Sequence, residues 1–97
     1  MRPLFVQIKC ELGKSEDVAE EIFKDVKEIS ELYSTSGNYD LLAKFHLAET
    51  DSIPQFINRQ LHKIRGIRDT YTIVAFRLND ADSPEYGISR PPSARKE

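Results

Sequence analysis

The sequence predicts one α+β domain in which a four-stranded antiparallel sheet carries two helices on one face. Four segments alternate apolar and polar residues with the period of a half-buried strand. Two segments with apolar residues at helical spacing follow the first and the third of these strands. A chain of 97 residues is long enough to build one hydrophobic core and too short to build two.

The first strand and helix are predicted from the first quarter of the chain. Residues 4–12 alternate as in a strand, and Gly13 is expected to end it. Ser15 is placed to cap a helix that we expect to continue to about residue 27. The apolar phase of the strand contains Val6, Ile8, Cys10 and Leu12, and the apolar stripe of the helix contains Val18, Ala19, Ile22, Phe23 and Val26.

A hairpin is expected in the middle of the chain. Its strands should cover residues 29–35 and 41–47, with Ser36-Gly37-Asn38 as the turn between them. Both faces of this hairpin carry apolar residues. We expect Leu32 and Leu42 on one face, out of phase with Tyr33, Leu41 and Ala43.

The second helix and the last strand follow the hairpin. Thr50-Asp51-Ser52 offers a helix cap, Pro54 is acceptable in a first turn, and Gly66 suits the C-terminal stop. The last strand is expected from about residue 67 to residue 78, a segment dense in β-branched and aromatic residues. The apolar stripe of the helix contains Ile53, Phe56, Ile57, Leu61 and Ile64.

The resulting order, β-α-β-β-α-β, is the ferredoxin-like split motif. We assign residues 1–78 to this domain and residues 79–97 to a C-terminal tail, which holds three of the five prolines. The tail is either mobile or an arm that docks on a neighbouring subunit.

The sheet face that the helices leave uncovered is predicted to be apolar. Val74, Phe76 and Leu78 alternate with Tyr71, Ile73 and Ala75, so the last strand has apolar residues on both faces. Burial of the open face against a second copy would give a dimeric α/β sandwich. The alternative is an outer face covered by the stems of Lys and Arg side chains.

Composition limits the class of partner. The formal net charge is −2, and basic residues are interleaved with acidic ones, so we expect no direct binding to nucleic acid. The chain has no apolar run of the roughly 20 residues that span a bilayer, and it has no signal peptide pattern. A cytoplasmic location without membrane contact is expected.

The residue types that carry catalysis or bind metals are sparse and scattered. His46 and His62 fall on different elements without a ligand at metal-binding spacing, and they are expected to be surface or interface residues. Cys10 lies on the apolar phase of its strand and has no evident base. We therefore expect no catalytic residue, no metal and no cofactor.

The hairpin segment 33–40 is richer in polar groups than a turn requires. A tight turn would need only Gly37 and Asn38. The additional hydroxyl groups and backbone N–H groups would suit a carboxylate, and Asp40 would suit an ammonium group, which together complement a free amino acid. From the residues alone, a plain structural turn remains open.

Three segments resemble the effector-binding domain of the Lrp/AsnC transcription regulators, also called the RAM domain. The first is Val-Lys-Glu-Ile-Ser-Glu-Leu-Tyr at 26–33. The second is Thr-Ser-Gly-Asn-Tyr-Asp-Leu-Leu at 35–42, close to the family's Gly-[Asp/Asn]-Tyr-Asp turn. The third is Ile-Arg-Gly-Ile-Arg-Asp-Thr-Tyr-Thr at 64–72, close to its Pro-Gly-Val and Thr-x-Thr segments. They lie in the family's order within residues 4–78.

The resemblance implies dimers formed sheet to sheet and rings of dimers, commonly four, which would be an octamer. It also implies an amino-acid effector bound between dimers near the Gly-x-x-Asp turn. Asn38 stands where many members have Asp, which changes the local charge. The ligand-binding residues nominated in this way are Ser36, Gly37, Asn38, Tyr39 and Asp40, with Thr70 and Thr72 as weaker candidates.

Family members carry a helix-turn-helix domain before this one, whereas here the first strand is expected within a few residues of Met1. The resemblance therefore implies a stand-alone sensing domain, an accessory that could co-assemble with a full-length regulator. Two other functions remain open. One is a small cofactor-free enzyme of the dimeric ferredoxin-like type, and the other is a ligand-free structural partner of a full-length regulator.

Overall fold

The sheet and the helices follow the predicted order along the chain. The computed structural model describes residues 2–78, so the tail assigned to residues 79–97 lies outside the described residues. The elements are β1 (Arg2–Cys10), α1 (Ser15–Asp25), β2 (Ile29–Ser34), β3 (Leu41–Leu47), α2 (Ile53–Phe56), a π-helical segment (Ile57–Leu61) that continues α2, and β4 (Ile67–Val74).

The four strands form one antiparallel sheet in the order β2-β3-β1-β4. β1 and β3 occupy the centre, and β2 and β4 are the edges. The register aligns Ile8 of β1 with Leu41 on one side and with Thr70 on the other. This architecture confirms the predicted α+β, ferredoxin-like fold class.

The core lies between the sheet and the helices. Alternate residues of both central strands are buried, and they pack against the buried positions of α1 and of the second helical region. Phe45 of β3 meets Phe56 of α2 edge to face, with 5.0 Å between ring centroids. The residues that are almost completely buried are Leu4, Val6, Ile8, Val18, Ile22, Val26, Ala43, Phe45, Leu47 and Leu61.

Several predicted element ends were wrong because strand length depends on the partner strands. β1 was expected to reach Leu12 but ends at Cys10, and the side chain of Leu12 is 98% exposed. β3 and β4 begin opposite the end of β1, so residues beyond Cys10 have no partner strand. β2 ends at Ser34, one residue earlier than expected.

The last strand was also predicted too long. β4 ends at Val74, where it pairs with Leu4, and the exposed residues Phe76 and Leu78 lie beyond it. The next residue of β1 is Pro3, which has no amide hydrogen to extend the ladder.

The helix ends were predicted with mixed success. Lys14, not Ser15, occupies the N-cap position of α1, and Ser15 is already helical. The helix ends at Asp25 because Val26 is extended, although its N–H still bonds to the carbonyl oxygen of Ile22. Ser52 caps α2 as predicted, by accepting a hydrogen bond from the N–H of Gln55 at 3.4 Å.

The outer face of the sheet carries apolar side chains, as predicted, but the phase of β2 was wrong. Leu32 pairs with Ala43 and Tyr33 pairs with Leu42, so Tyr33 and not Leu32 shares the outer face with Leu42. The register shift between Ile29 and Glu31 produces this difference. Tyr33, Tyr71 and Ile73 are each at least 40% exposed.

Candidate functional site at the hairpin between β2 and β3

Residues 35–40 form the loop that connects β2 to β3. Thr35 closes this loop, because its N–H donates to the carbonyl oxygen of Asp40 at 2.9 Å and its hydroxyl group donates to the carbonyl oxygen of Tyr39 at 3.0 Å. Gly37 has φ of +101°, a backbone conformation that L side chains rarely adopt. The sequence therefore needs glycine at the turn, as the Ser-Gly-Asn signal indicated.

The end of the loop is fastened to β1. The N–H of Asp40 donates to the carbonyl oxygen of Ile8 at 2.8 Å, and its Oδ2 accepts the N–H of Cys10 at 2.7 Å. Lys9 donates from Nζ to the carbonyl oxygen of Asn38 at 3.0 Å. These contacts hold the loop over the C-terminal end of β1.

The Asp40 carboxylate changes the electrostatics around the end of β1. Burial raises the pKa of the Cys10 thiol, the negative charge of Asp40 raises it further, and Lys9 opposes the change. Cys10 is buried, as its position on the apolar phase predicted. Its thiol is therefore kept protonated beside the hairpin.

Polar groups at the tip of the loop stay available. Ser36, Gly37 and Asn38 are exposed, and their backbone N–H groups donate no hydrogen bond to the described part of the chain. Within residues 2–78 the hydrogen bond to Asp40 uses Oδ2 and leaves Oδ1 without a donor. Exposed N–H groups suit a carboxylate, and a carboxylate oxygen suits an ammonium group.

Tyr39 connects the loop to the far edge of the sheet. Its ring lies 6.3 Å from the ring of Tyr71, measured between centroids, with 36° between the ring planes. Tyr71 projects from β4 on the outer face, opposite Gln7 of β1. The hairpin therefore contacts the outer face as well as the end of β1.

The threonines of β4 lie near the hairpin but on the helix-facing side of the sheet. Thr70 pairs with Ile8, and Asp40 donates to Ile8 from the other side, so two strand spacings of roughly 5 Å each separate them. Thr72 pairs with Val6, farther from the hairpin. The structure thus groups Ser36, Gly37, Asn38, Tyr39 and Asp40 in one loop, but it places Thr70 two strands away from Asp40 and Thr72 farther still.

Sequence reasoning missed a polar contact between the second helical region and β4. His62 follows the π-helical segment, with Nδ1 at 3.0 Å from Oδ1 of Asn58 and Nε2 at 3.2 Å from Oγ1 of Thr70. The separation of four residues between Asn58 and His62 is a signal that could have suggested their pairing. The contact with Thr70 depends on how the chain returns from the helix to β4, which no local pattern reveals.

A second feature lies at the opposite end of the hairpin. An open cleft of about 600 Å³ is lined by His46, Glu28, Asp51 and neighbouring residues. Oε1 of Glu28 is buried there without a hydrogen bond to the described residues. Among residues 2–78, no group of three or more His, Cys, Asp or Glu side chains could hold a metal ion, and none of the helices is long and apolar enough to span a membrane.

The chain, including this hairpin, matches a known family of ligand-binding domains. Residues 4–81 match the model of the family described as the Lrp/AsnC ligand binding domain. The HTH-type transcriptional regulator FL11 of Pyrococcus furiosus is 29% identical over 75 residues, which are 77% of this chain and 48% of FL11. The chain thus spans about half the length of the curated relatives it matches.

Solved structures share the fold. The crystal structure of FFRP-DM1 is 29% identical, with a TM-score of 0.72, and the match covers 78% of this chain and 100% of that one. The transcriptional regulator NMB0573 of Neisseria meningitidis, solved as a complex with L-Met, is 16% identical with a TM-score of 0.69, over 81% of this chain and 52% of that one. The match over residues 4–81 shows that the chain belongs to the Lrp/AsnC ligand binding domain family, whose matched relatives are transcription regulators.

Proposed function

We propose that this domain binds a free amino acid at the 36–40 hairpin and that the ligand acts by stabilising one oligomeric assembly over another. The observation that carries this proposal is the pairing of free backbone N–H groups at residues 36–38 with the unengaged Oδ1 of Asp40. A zwitterion offers a carboxylate to the first and an ammonium group to the second. The structural neighbour NMB0573, solved with L-Met, supports an amino acid as the ligand class.

The outer face of the sheet supports the oligomer that we propose. Tyr33, Tyr71 and Ile73 are exposed together on one surface, and a second copy would bury them in a sheet-to-sheet dimer. We further propose a ring of such dimers, such as an octamer, with the hairpins at the contacts between dimers. A ligand held there would shift the population toward the ring, since it binds the assembled state more tightly.

The proposed role of the domain includes its cellular location, its partner protein and the absence of catalysis. We propose an accessory role in transcription regulation, in the cytoplasm, with a full-length Lrp/AsnC regulator as a partner and without direct contact to nucleic acid. We propose no catalytic activity. The His46 cleft is open to solvent, and although Ser30 and His46 both line it, no hydrogen bond joins their side chains within residues 2–78, as activation of a serine nucleophile would require.

The decisive experiment is a thermal-shift screen of the full chain against the twenty amino acids, repeated with Asp40→Asn. Asparagine keeps a side-chain oxygen to accept the N–H of Cys10 but removes the negative charge that would hold the ammonium group. One amino acid should stabilise the wild type, by about 2.7 kcal/mol at a hundred times its Kd. Asp40→Asn should lose at least tenfold in affinity while it keeps the unliganded melting temperature within a few degrees.

The matched control is Asp51→Asn, an exposed acid in the loop before α2 that accepts the N–H of Ala48. This variant should bind like the wild type. If Asp40→Asn also binds like the wild type, the assigned pocket is wrong.

A second candidate function is a structural partner of a full-length regulator that binds no ligand. The hydrogen bond from the N–H of Cys10 to Oδ2 of Asp40 favours this candidate, because it gives Asp40 a role in fastening the hairpin to β1 that needs no ligand. The same screen separates the two functions. No stabilisation by any amino acid, combined with co-elution with a full-length regulator, would establish the structural role.

A further inference from the structure

We propose that the open cleft at the other end of the β2–β3 hairpin is a second ligand site, which binds a small organic amine through the carboxylate of Glu28. The cleft has a volume of about 600 Å³, which is the size of a small-molecule site. Its lining includes Lys27 and Glu28 before β2, Ser30 in β2, His46 near the end of β3, and Asp51 in the loop before α2.

This cleft is separate from the loop that we propose for the amino acid. Leu41 directly follows that loop, and His46 lies five residues farther along β3, so roughly 17 Å of strand separates the two sites. A small ligand in the cleft therefore does not reach residues 36–40. The inference goes beyond the proposed function and does not depend on it.

Glu28 carries the inference because its side chain has a buried oxygen without a partner. The carbonyl oxygen of Glu28 accepts the N–H of His46 at 2.9 Å, which fixes the residue beside the cleft. Oε1 of the side chain is buried and has no hydrogen-bond donor within residues 2–78. A carboxylate oxygen in that state costs free energy. Rotation of the side chain toward the cleft, where an N–H group of a ligand can donate to Oε1, removes this cost.

The charges around Glu28 favour a cation as the ligand. α1 ends at Asp25, and the chain continues from there to Glu28, so the negative end of the helix dipole lies beside the cleft. Lys27 lines the cleft, and Arg59 lines a smaller adjoining hollow together with Glu28. Neither of these cations forms an ion pair with Glu28 within residues 2–78. The carboxylate of Glu28 is therefore left for a ligand.

The acceptors in the cleft suit an ammonium group better than a metal ion. In the described part of the chain, no group of three or more His, Cys, Asp or Glu side chains could hold a metal ion. Oδ2 of Asp51 already accepts the N–H of Ala48 at 3.1 Å. Glu28 and the Ser30 hydroxyl group remain as acceptors for an ammonium group, and Ile29 supplies apolar lining for its hydrocarbon chain.

The experiment is an NMR titration of the full chain with putrescine at constant ionic strength, followed by the backbone amide resonances. The amides of Ser30 and His46 should shift with saturation, whereas those of Gly37 and Asn38 should not. The diol of the same chain length is the matched control compound, because it has hydroxyl groups in place of the ammonium groups. It should cause no shift at the same concentration.

A pair of variants tests the role of the carboxylate. Glu28→Gln keeps the length of the side chain and removes its charge, so it should weaken putrescine binding at least tenfold. Glu16→Gln is the same substitution at an exposed acid of α1 outside the cleft, and it should bind like the wild type. The melting temperature of each variant without putrescine reports whether it is folded.

Three results would overturn the inference. In the first, putrescine shifts no amide of the wild type, which would mean that only water satisfies Oε1 of Glu28. In the second, the diol causes the same shifts or Glu28→Gln binds like the wild type, which would remove the charge from the recognition. In the third, the shifts fall at Gly37 and Asn38, which would place the amine in the hairpin loop. None of these results decides whether the loop binds an amino acid.

Discussion

The two faces of the sheet differ in how completely one chain covers them. On the helix-facing side, Val6, Ile8 and Phe45 have no measurable exposure. On the outer side, Tyr33 and Tyr71 of the two edge strands remain more than half exposed. The inner face supplies the stability of the subunit, whereas the outer face keeps apolar area that residues 2–78 leave uncovered and that the proposed dimer would bury. Substitutions on the inner face should therefore change the stability of the subunit, and substitutions on the outer face should change the proposed assembly.

The largest expected effect is on the inner face. Phe45→Ala would remove a fully buried ring that meets Phe56 edge to face, and it should cost about 3–5 kcal/mol in the free energy of unfolding. Phe5→Ala is the matched control, because Phe5 lies on the outer face of the adjacent strand, next to Lys44.

Denaturant unfolding at two protein concentrations distinguishes these variants. The loss in Phe45→Ala should be the same at both concentrations, since it belongs to the subunit. The smaller loss in Phe5→Ala should depend on concentration, since Phe5 would be buried in the proposed assembly. Equal, concentration-independent losses would contradict the division between the two faces.

The next largest effect is on assembly. Ile73→Lys places a charge in the middle of the exposed apolar surface of β4, and it should convert the proposed oligomer to monomers while the circular dichroism spectrum stays unchanged. Light scattering coupled to size exclusion measures the mass. Phe23→Lys is the control, because Phe23 is 58% exposed but lies on α1, away from the outer face. A wild-type mass for Ile73→Lys would place the interface elsewhere.

The sequence predicted the elements better than their ends or their contacts. Periodicity is a local signal, so the order of strands and helices, the buried position of Cys10 and the turn at Gly37 were all predictable. The exposure of Leu12 was not, because it depends on where β3 and β4 begin. The hydrogen bond between Cys10 and Asp40 joins residues 30 positions apart, and the contact between His62 and Thr70 depends on a loop path. Residues 36–40 lie together in one loop, but their role in ligand binding stays a prediction, and the contacts that fasten this loop to β1 came only from the structure.

The smallest expected effect concerns the polar side chains that flank the apolar surface of the outer face. Tyr33 donates a hydrogen bond to Oε1 of Glu31, and Nζ of Lys44 lies 3.6 Å from Oε2. The hydrogen bond from Tyr33 lowers the pKa of Glu31, burial opposes this change, and the charge of Lys44 lowers it further. When folding lowers the pKa of a carboxyl group, the ionised group stabilises the folded protein at pH values above the pKa that it has in the unfolded chain. This contribution is lost as the pH falls through the pKa that the group has in the folded protein.

Tyr33→Phe should therefore raise the pKa of Glu31 toward its ordinary value and move the acid-induced loss to higher pH. Carbon-13 NMR titration of the Glu31 carboxyl group measures the change. Tyr71→Phe is the control, since the ring of Tyr71 contacts Tyr39 and not Glu31. An unchanged titration in Tyr33→Phe would mean that the hydrogen bond from Tyr33 does not set the pKa of Glu31. The charge of Lys44 would then account for the position of Glu31 on the outer face, and the Tyr33 hydroxyl group would be available to a partner subunit.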